Sequence, residues 1–468
     1  MSRTSFKIFI LAASVVSAVA FVTAYFSFEK DGPSKQAQAS SSSTTVRLPK
    51  PGGIWTRDRQ PMGSLMSPAQ HLNPEEQLRF FSGFSFFRTP WISAPASTTA
   101  RDGLGPLFNA HSCEACHING GRGPSLMDAP ARVGTVIATS EIINGVGVPH
   151  SITGVQLDTR ATYTNGREGI ATISYTELAP QQIGKRAVAL RQPSIQVDWN
   201  IQLEKKPTLT ARVAPPLIGM GLLEYITVSR LESLEDAKDL NQDGISGRIN
   251  WIESKQSASK MAGRFGWKAN HATLESQVGT ALRNDLGITN HLFPEQPCTA
   301  TQNTCLNQAH GNGPVGEHEI SEELFEYLVY FTRYIPPPAA AEATEKVIKG
   351  QEHFEAVGCA ACHTPSHQTP AGTIWPYTDM LLHDMGEALA EPMSQGDAAG
   401  SEWRTPPLWG VGTMKKVSGH TSLLHDGRAR DVLEAILWHA GEANGSRQKF
   451  VDLSTQQKRE LLAFIKAL

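Results

Sequence analysis

Two copies of the pattern Cys-x-x-Cys-His are the residues in this chain best suited to chemistry. The first copy comprises Cys113, Cys116 and His117, and the second comprises Cys359, Cys362 and His363. Two thiols at this spacing can form thioethers with the two vinyl groups of a c-type haem, and the adjacent histidine can then ligate the iron. A half zinc site would need a second cysteine pair close by, and a redox dithiol does not require the histidine. The sequence therefore predicts two covalently bound haems.

A second pattern, at residues 239–250, is typical of a calcium loop. Oxygen ligands at positions one, three and five come from Asp239, Asn241 and Asp243, and position six is a glycine. The backbone carbonyl of Ile245 follows at position seven. Position twelve is an asparagine instead of the usual glutamate, so one bidentate carboxylate is missing. We expect calcium here, with an Asx-rich turn as the alternative.

Several features indicate export from the cytoplasm of a bacterial cell. Residues 1–28 carry two basic residues and then an uncharged apolar run, as a signal peptide does. The run is also long enough to remain as a membrane anchor. Cys298 and Cys305, which lie outside the haem motifs, can form a small disulfide suited to an oxidising compartment, or stay as free thiols. We expect a periplasmic protein, soluble after signal cleavage or tethered to the membrane.

Composition divides the rest of the chain. Residues 29–60 are expected to form a linker, because much of this stretch is rich in Ser, Ala, Gln and Thr. The triple proline Pro336–Pro338 marks a boundary between an N-terminal haem domain, residues 61–335, and a C-terminal haem domain, residues 339–468. The formal net charge of −3 comes without a basic stripe, so nucleic acid is not an expected partner.

Local patterns predict the elements that position the motifs. Asn73 followed by Pro74 predicts the start of a helix ahead of the first haem motif. Alternating apolar and polar residues over 131–205 predict the short strands of a β insertion. Further helices are predicted over Ser321–Tyr334, from Ala341 to Ala356, and from Ser454 onward.

The two halves of the chain repeat the same order of motifs. The pattern Pro-Pro-Leu-x-Gly-x-Gly follows the haem motif in each half, at residues 215–221 and 406–412. A second pair of segments, residues 265–269 and 425–429, then leads into a helix in each half. This order predicts a mainly α fold with two cytochrome c-like haem domains in tandem, the first carrying the β-rich insertion.

Longer motifs give the chain a family resemblance. They lie at residues 103–109, 263–268, 381–386, 403–408, 425–429 and 435–441. Together with the haem motifs they resemble the bacterial dihaem cytochrome c peroxidases and the related enzyme that matures methylamine dehydrogenase. The full set is most similar to the di-haem oxidoreductase family. The resemblance covers nearly everything from about residue 60 onward, and it implies a haem-dependent oxidoreductase with peroxidase-like activity.

The resemblance implies how the second haem is ligated. The family's distal-ligand position in this half falls on His439, where the relatives carry Met or Tyr. Ligation by His363 and His439 is therefore implied, with a lower potential than a His/Met pair gives. A histidine on the outer surface of its helix is the alternative for His439, and Met385, Met393 and Met414 are rival ligands.

The first haem is expected to react. The position equivalent to the distal ligand is Thr280, which ligates iron poorly, so the haem of His117 should keep an open distal face. The relatives place a Glu over this face, and the similar segment here holds Asp285. Asp285 is the implied acid/base that moves a proton between the two peroxide oxygens. A solvated loop or helix-capping Asp is the alternative, and His150 is the next distal candidate.

Aromatic and basic residues complete the implied site. Trp267, with Phe265 beside it, falls where the relatives carry an aromatic residue between the haems. An aromatic ring there can relay an electron, and core packing is the alternative. Arg404, and Arg212 in the first half, are implied partners of haem propionates, because the guanidinium presents a planar fork of donors.

These features support several functions. The leading expectation is an enzyme whose second haem takes electrons from a small protein such as a cytochrome c or a cupredoxin, and whose first haem reduces peroxide. An alternative enzyme would withdraw electrons from a protein, thiol or metal-ion donor. The third interpretation is a non-catalytic electron-transfer cytochrome with both irons six-coordinate. Binding of a small ligand at one haem separates the enzymes from the carrier, and the sequence leaves the oligomeric state open.

Overall fold

The computed structural model describes residues 48–58, 63–126, 133–144, 146–253, 259–309, 311 and 318–468. Its helices are α1 (Pro74–Arg88), α2 (Cys113–Cys116), α3 (Met220–Glu224), α4 (Val228–Glu232), α5 (Leu274–Leu286), α6 (Asn303–Leu306), α7 (Glu322–Arg333), α8 (Glu345–Ala356), α9 (Met414–Ser418), α10 (Val432–Trp438), α11 (Asn444–Asp452) and α12 (Thr455–Ile465). Its strands are β1 (Leu107–Phe108), β2 (Thr135–Ile143), β3 (Val146–Val148), β4 (Arg160–Ala161), β5 (Gly169–Glu177), β6 (Gln181–Ile183), β7 (Arg186–Val188), β8 (Arg191–Trp199), β9 (Thr208–Val213), β10 (Trp251–Glu253), β11 (Lys260–Ala262), β12 (His367–Thr369), β13 (Gly372–Ile374), β14 (Leu382–Asp384) and β15 (Glu402–Arg404).

Helix makes up 31% of the structure and strand 20%, so the fold mixes the two. The expectation of a mainly α chain is corrected by these proportions. The physical reason is the insertion after the first haem motif, which is built of strands, together with short strand pairs around the second motif.

The long helices begin at residues that can cap them. Asn73 caps α1, Ser321 caps α7 and Ser454 caps α12, each accepting a hydrogen bond from an amide in the first turn. These starts confirm the predictions at the three positions. Helix α8 begins later than predicted, at Glu345, because Thr344 is its cap.

Each half packs the helix before its haem motif against a helix near its end. Helix α1 crosses α7 at Gly83, where a Cβ atom would lie 1.9 Å from the carbonyl oxygen of Tyr327. Helix α8 crosses α12 at Gly350, where a Cβ atom would lie 2.1 Å from the carbonyl oxygen of Glu460. Only a residue without a side chain permits these approaches. The two halves therefore share one kind of helix pair.

The Pro-Pro-Leu segments occupy equivalent places at these helix pairs. The amide of Gly219 donates to the carbonyl oxygen of Ile335, just after α7, across 2.8 Å. The amide of Gly410 donates to the carbonyl oxygen of Leu468, just after α12, across 2.7 Å. The repeated sequence order thus corresponds to a repeated backbone contact.

The β insertion follows the first haem motif. Strand β2 pairs with β3 and β9, and β5 pairs with β8 along its whole length, all antiparallel. Strands β6 and β7 form a hairpin. Ile137, Leu157, Ile173 and Ala211 form one buried cluster, as alternating apolar positions in paired strands favour. The strands predicted in this region are confirmed.

The largest buried cluster takes residues from both halves of the chain. It includes Phe80 and Phe331 from α1 and α7, together with Trp409 and Met414 from beyond the triple proline. Residues Val46–Leu468 form one compact unit by their contacts. The boundary between two haem domains stays a prediction.

A disulfide between Cys298 and Cys305 closes the loop that follows α5. This confirms the disulfide and not the free thiols as the state of the pair. The loop contacts the β insertion, because Oγ1 of Thr299 donates to the carbonyl oxygen of Ile152 across 3.0 Å.

The signal peptide or anchor expected at residues 1–28 lies outside the described residues, as does most of the expected linker. Within the part of the chain that the structure describes, no helix has the length and apolar character needed to cross a bilayer. The expected site of the protein in the cell therefore stays a prediction.

Candidate functional site

One cavity of about 520 Å³ reaches both Cys-x-x-Cys-His motifs. Helices α5 and α10 and both Pro-Pro-Leu segments contribute to its walls. Its lining includes the residues predicted to hold or serve the haems, namely Cys113, Cys116, His117, Cys359, Cys362, His363, His439, Asp285, Trp267, Arg404 and Arg212.

His117 and His363 have matching environments in this cavity. Nδ1 of His117 donates to the carbonyl oxygen of Pro215 across 2.8 Å, and Nδ1 of His363 donates to that of Tyr377 across 2.9 Å. A donating Nδ1–H leaves the Nε2 lone pair for a metal. Desolvation lowers the pKa of each histidine to about 4, so both rings are neutral, as ligation requires. The arrangement fits two proximal haem ligands.

The paired helices position these histidines. Phe87 of α1 and Phe354 of α8 each lie 6.4 Å from the histidine of their own half, measured between ring centroids. Each also packs on a phenylalanine of the partner helix, at 4.9 Å for α7 and 5.3 Å for α12. The helix crossing therefore fixes the same aromatic support beside each histidine.

Polar atoms without partners show that the cavity fits a bound group carrying negative charge. Nε of Arg122 and Nε of Arg212 are buried with no hydrogen-bond partner among the described residues, and both arginines line the cavity. An unpaired buried N–H is costly, and haem propionate oxygens would satisfy it. Desolvation raises the pKa of Cys113 and Cys359 to about 12, so these thiols lie in apolar surroundings. The residues present fit two c-type haems.

His439 faces the cavity from the C-terminal end of α10. Its Nδ1 donates to the carbonyl oxygen of Ala435 across 2.7 Å, which leaves Nε2 for a ligand. Desolvation lowers the pKa of His439. After desolvation, the proximity of His439 contributes to the lowered pKa of His363. His439 thus lies in the cavity near His363, not on the outer surface of its helix.

The rival methionine ligands differ in position. Met385 and Met414 line the cavity. Met393 is not among the lining residues, and its sulfur lies 3.6 Å from Nε2 of Gln395 and 4.0 Å from Nη2 of Arg212. Met385 and Met414 therefore remain as alternatives to His439.

Helix α5 presents polar side chains to the cavity near the first motif. Gln277, Thr280 and Asp285 of this helix all line the cavity. Oε1 of Gln277 and Oγ1 of Thr280 are buried with no hydrogen-bond partner in the described part of the chain. After desolvation, the charge of Asp285 raises the pKa of Cys113 and Cys116, which places this end of α5 beside the first motif. The helix sequence contains no His, Cys or Met.

Asp285 lies in the last turn of α5, so the interpretation as a solvated loop residue is wrong. Its backbone carbonyl accepts from the amides of Asn109 and Ala110, at 2.8 and 3.1 Å. Its carboxylate accepts from Nε2 of Gln156 across 3.1 Å. Desolvation raises the pKa of Asp285 to about 6, against the opposing hydrogen bond from Gln156. A carboxyl group with this pKa can both accept and return a proton near neutral pH.

Two histidines change the set of distal candidates. His150 is buried away from the cavity lining, where its Nε2 donates to the carbonyl oxygen of Lys205 across 3.0 Å. The expectation that it is the next distal residue is therefore wrong, because its loop packs within the insertion. His271 was not foreseen but lines the cavity, and desolvation lowers its pKa to about 4. The sequence signal for His271 is its position two residues before Thr273, which caps the cavity helix α5.

Three tryptophans line the cavity, namely Trp267, Trp403 and Trp409. Trp267 donates from its indole N–H to the carbonyl oxygen of Val213 across 3.0 Å, and the guanidinium of Arg122 lies 5.2 Å over its ring. Trp403, which the sequence did not single out by itself, stacks on His425 with ring centroids 3.8 Å apart. The relay role of Trp267 stays a prediction.

The two arginines expected to bind propionates both line the cavity, but their present partners differ. Nε of Arg404 donates to the carbonyl oxygen of Gly266 and Nη1 to that of Thr405, each at 3.1 Å. Desolvation lowers the pKa of Arg404 to about 10. Arg212 forms an ion pair with Glu391. The propionate roles stay predictions, and Arg212 has part of its charge already balanced.

The predicted calcium loop bonds its side-chain oxygens to its own amides. Oδ1 of Asp239 accepts from the amide of Gly244 across 3.2 Å. Oδ1 of Asn241 accepts from the amide of Asp243, and Oδ1 of Asp243 accepts from the amide of Ile245, each across 2.9 Å. This is the pattern of Asx turns, and an oxygen-rich loop of this kind also suits calcium. Ile245 lines the cavity, and Oγ of Ser246 donates to Glu442 across 2.8 Å. Calcium stays a prediction.

His383 lies between two carboxylates beside the second motif. Its Nε2 is 2.8 Å from Asp379 and its Nδ1 is 2.7 Å from Glu442. Desolvation opposes a charge on the ring, but hydrogen bonds to Asp379, Cys362 and Glu442 raise the pKa of His383 to about 12. Cys362, Asp379 and His383 place potential ligand atoms within 4.8 Å of one another. An imidazolium that donates hydrogen bonds from both ring nitrogens has no lone pair for a metal. Cys362, Asp379 and His383 are therefore a hydrogen-bonded cluster beside the second motif and not a metal site.

A family model described as "Di-haem oxidoreductase, putative peroxidase" matches residues 47–144 and 193–468. No curated protein matches the chain. Among solved structures, the hydrazine synthase of Kuenenia stuttgartiensis, pressurised with 20 bar of xenon, is 14% identical, covering 94% of this chain and 100% of that chain with a TM-score of 0.31. A likeness this distant has no bearing on function. The family match includes both haem motifs and well over half of the chain, so the chain belongs to the di-haem oxidoreductase family, which implies two haems.

Proposed function

We propose that this chain is a c-type dihaem peroxidase built from two tandem cytochrome c-like haem domains. The cysteines of the two motifs would form the thioethers, and His117 and His363 would be the proximal ligands. The helix crossings at Gly83 and Gly350 support the tandem arrangement. So do the matching carbonyl partners of the two histidines.

The unequal distal sides carry the peroxidase proposal. His439 faces the second site with its Nε2 available, whereas α5 faces the first site with Gln277, Thr280 and Asp285. Peroxide chemistry needs an iron with an open position, and an electron-transfer haem is typically closed by two protein ligands. Catalysis is therefore assigned to the His117 side and electron relay to the side of His363.

The residues around the first site suit peroxide reduction. When bound, the haems supply one-electron redox chemistry and an open coordination position. Asp285 takes a proton from one peroxide oxygen and returns it to the other, from which water leaves. Gln156 holds this carboxylate in place. The unpartnered Oγ1 of Thr280 and Oε1 of Gln277 orient the incoming peroxide by hydrogen bonds.

Electrons would enter at the second site from a small donor protein such as a cytochrome c or a cupredoxin. Trp267 lines the cavity shared by the two motifs and would relay them to the first site. A periplasmic location agrees with the disulfide between Cys298 and Cys305. Recovery of the haem protein in the cytoplasmic fraction of cells would overturn the proposed location.

His271 favours a second candidate function, electron transfer without catalysis. Its ring lines the cavity and is neutral. If His271 ligates the first iron, both irons are six-coordinate and small molecules have no position to bind.

Carbon monoxide binding to the reduced holoprotein tests the proposal and separates these candidates. We expect carbon monoxide to bind one of the two haems, and His271→Ala to leave that binding unchanged. If carbon monoxide binds neither haem of the wild type at any level of reduction, the peroxidase proposal is overturned. Binding that appears only in His271→Ala would identify the carrier.

The loop at residues 239–245 is proposed to hold calcium. Support comes from its oxygen-rich spacing and from its link, through Ser246, to Glu442 and the His383 network of the second motif. Metal analysis of the holoprotein purified without chelators should find calcium. Protein with intact haem spectra and no calcium would overturn this part of the proposal.

A further inference from the structure

The β insertion supplies two buried carboxyl groups close to Asp285. Asp158 is 4% exposed and Glu168 is 0% exposed. Both belong to residues 145–192, which the family model does not match. Their presence beside the cavity is therefore a property of this chain that the family match does not describe.

Hydrogen bonds connect Asp158 to the cavity helix. Nδ2 of Asn109 donates to Oδ1 of Asp158 across 3.2 Å, and the backbone amide of Asn109 donates to the carbonyl oxygen of Asp285. Gln156, two residues before Asp158, donates to the carboxylate of Asp285. The insertion thus contacts the end of α5 directly through the side chain of Gln156, and Asn109 bridges Asp158 and the backbone carbonyl of Asp285.

Glu168 continues this chain of carboxyl groups away from the cavity. Its Oε2 accepts from the amide of Asp158 across 2.8 Å, and its Oε1 accepts from Nε2 of Gln302 across 2.6 Å. Gln302 is half-buried and belongs to the disulfide-closed loop Cys298–Cys305. The order of groups is therefore Asp285 at the cavity, then Asp158, then Glu168 beneath a surface loop.

The surroundings keep protons on this pair. Three other titratable groups interact with this pair. The charges of Asp285 and Arg283 act on the pKa of Asp158, and the charges of the pair act on the pKa of Tyr163. Desolvation, followed by the charges of Glu168 and Asp285, raises the pKa of Asp158 well above its ordinary value, and Arg283 opposes this. Desolvation raises the pKa of Glu168 to about 8. Near pH 7 the pair therefore holds a proton that it can donate.

We propose that Asp158 and Glu168 are positioning residues that form an internal proton donor and return a proton to Asp285 during turnover. This inference rests on the proposed peroxide reduction. Reduction of one hydrogen peroxide to two waters breaks the O–O bond, forms two O–H bonds and consumes two electrons and two protons. The electrons come from the reduced donor protein through the haems. The protons come from solvent by way of Glu168 and Asp158 to Asp285.

Single-turnover oxidation of the fully reduced holoprotein by hydrogen peroxide tests this donor pair. Asp158→Asn and Glu168→Gln keep the size of the side chain and one acceptor oxygen, but an NH2 group replaces the other oxygen and no acidic proton remains to be released. We expect both variants to match the wild type near pH 5, where solvent loads Asp285 directly. Near pH 8 we expect both to be slower by about tenfold or more, because solvent protons are scarce there.

Glu319→Gln is the matched control. Glu319 is also buried, desolvation raises its pKa to about 7, and it accepts hydrogen bonds from Thr289 and Gln296 away from the cavity lining. This variant should follow the wild type at both pH values. The same loss in Glu319→Gln as in the donor variants would overturn the donor pair.

Two further outcomes would overturn the inference. One is an unchanged rate in both donor variants at both pH values. The other is an equal loss at the two pH values, which indicates a structural role for the carboxyl groups. Haem absorption and far-ultraviolet circular dichroism establish folding, and Glu168→Gln carries the test if Asp158→Asn does not fold. Wild-type protein that is inert to peroxide would overturn the proposed function itself, a result distinct from any of these.

Discussion

Nε2 of Gln156 donates a hydrogen bond to Oδ1 of Asp285 across 3.1 Å, and the two residues are 129 positions apart in the chain. The same Nε2 lies 2.6 Å from the carbonyl oxygen of Asn284. The β insertion therefore fixes the orientation of the carboxylate that α5 presents to the cavity. Desolvation raises the pKa of Asp285 to about 6, so this carboxylate is ready to exchange a proton near neutral pH.

Asp285→Asn removes the proton acceptor and keeps the side-chain size. We expect the rate at which peroxide oxidises the reduced haems to fall by about 100-fold or more, because general acid–base catalysis contributes at least this much. Both haems should remain attached, with unchanged absorption. Stopped-flow spectroscopy measures the rate, and Glu319→Gln should keep the wild-type value. A wild-type rate in Asp285→Asn would remove Asp285 from the mechanism.

Gln156→Leu should move the pH dependence of the reaction. The hydrogen bond from Gln156 lowers the pKa of Asp285 against desolvation, so its loss raises that pKa from about 6. The ionised carboxylate is the form that accepts the proton, so the acid limb of the rate profile should move to higher pH. The rate should fall more near pH 6 than near pH 8. An acid limb that stays in place or moves to lower pH would contradict this role for Gln156.

His439→Ala should change the spin state of one haem only. Removal of the imidazole that faces the second site opens that iron, which should pass from low spin to high spin. Met385→Ala and Met414→Ala are the controls, because both methionines line the cavity and should leave the low-spin signal unchanged. Electron paramagnetic resonance reports the result. A low-spin signal that survives in His439→Ala and disappears in a methionine variant would assign the ligand to that methionine.

Trp267→Phe should slow electron transfer between the haems. Phenylalanine keeps an aromatic ring in the cavity wall but loses the readily oxidised indole and its hydrogen bond to Val213. The measurement follows re-equilibration of the two haems after peroxide oxidises the reduced protein. Trp91→Phe is the control, since Trp91 is buried outside the cavity lining. Equal transfer rates in the wild type and Trp267→Phe would leave Trp267 with a packing role.

Gly350→Ala should destabilise the C-terminal helix pair. The new methyl group would lie 2.1 Å from the carbonyl oxygen of Glu460, so α8 and α12 must separate. We expect the free energy of unfolding to fall by about 1–3 kcal/mol. Gly445→Ala in α11 is the control, because its Cβ atom meets nothing within 4 Å, and alanine there should be neutral or stabilise by up to about 1 kcal/mol. Thermal unfolding that ranks the two variants equally would contradict the close crossing.

The haem residues and the helix starts could be predicted because each depends on a short continuous segment. The spacing of Cys113, Cys116 and His117 indicates its own chemistry, and the caps at Asn73 and Ser454 act within one turn of the backbone. The family resemblance led to His439 and Asp285, and the internal repeat led to Thr280. All three residues line the cavity.

The rest of the site depends on contacts between distant segments. Gln156 reaches Asp285 only because the insertion folds back onto α5, and Trp403 meets His425 only in the folded cavity. His150 illustrates the opposite case, because a polar loop sequence gave no sign that the ring would be buried against the carbonyl of Lys205. The fold is mixed and not mainly α, because the predicted strands of the insertion, together with short strand pairs around the second motif, bring the strand content to 20%.

The central claim is that the iron of His117 keeps an open distal position while that of His363 is closed by His439. Electron paramagnetic resonance spectra of the oxidised and half-reduced holoprotein, recorded before and after addition of hydrogen peroxide, test it most directly. We expect one high-spin and one low-spin centre, with peroxide altering the high-spin signal. Two low-spin centres that peroxide leaves unchanged at every oxidation level would contradict the account.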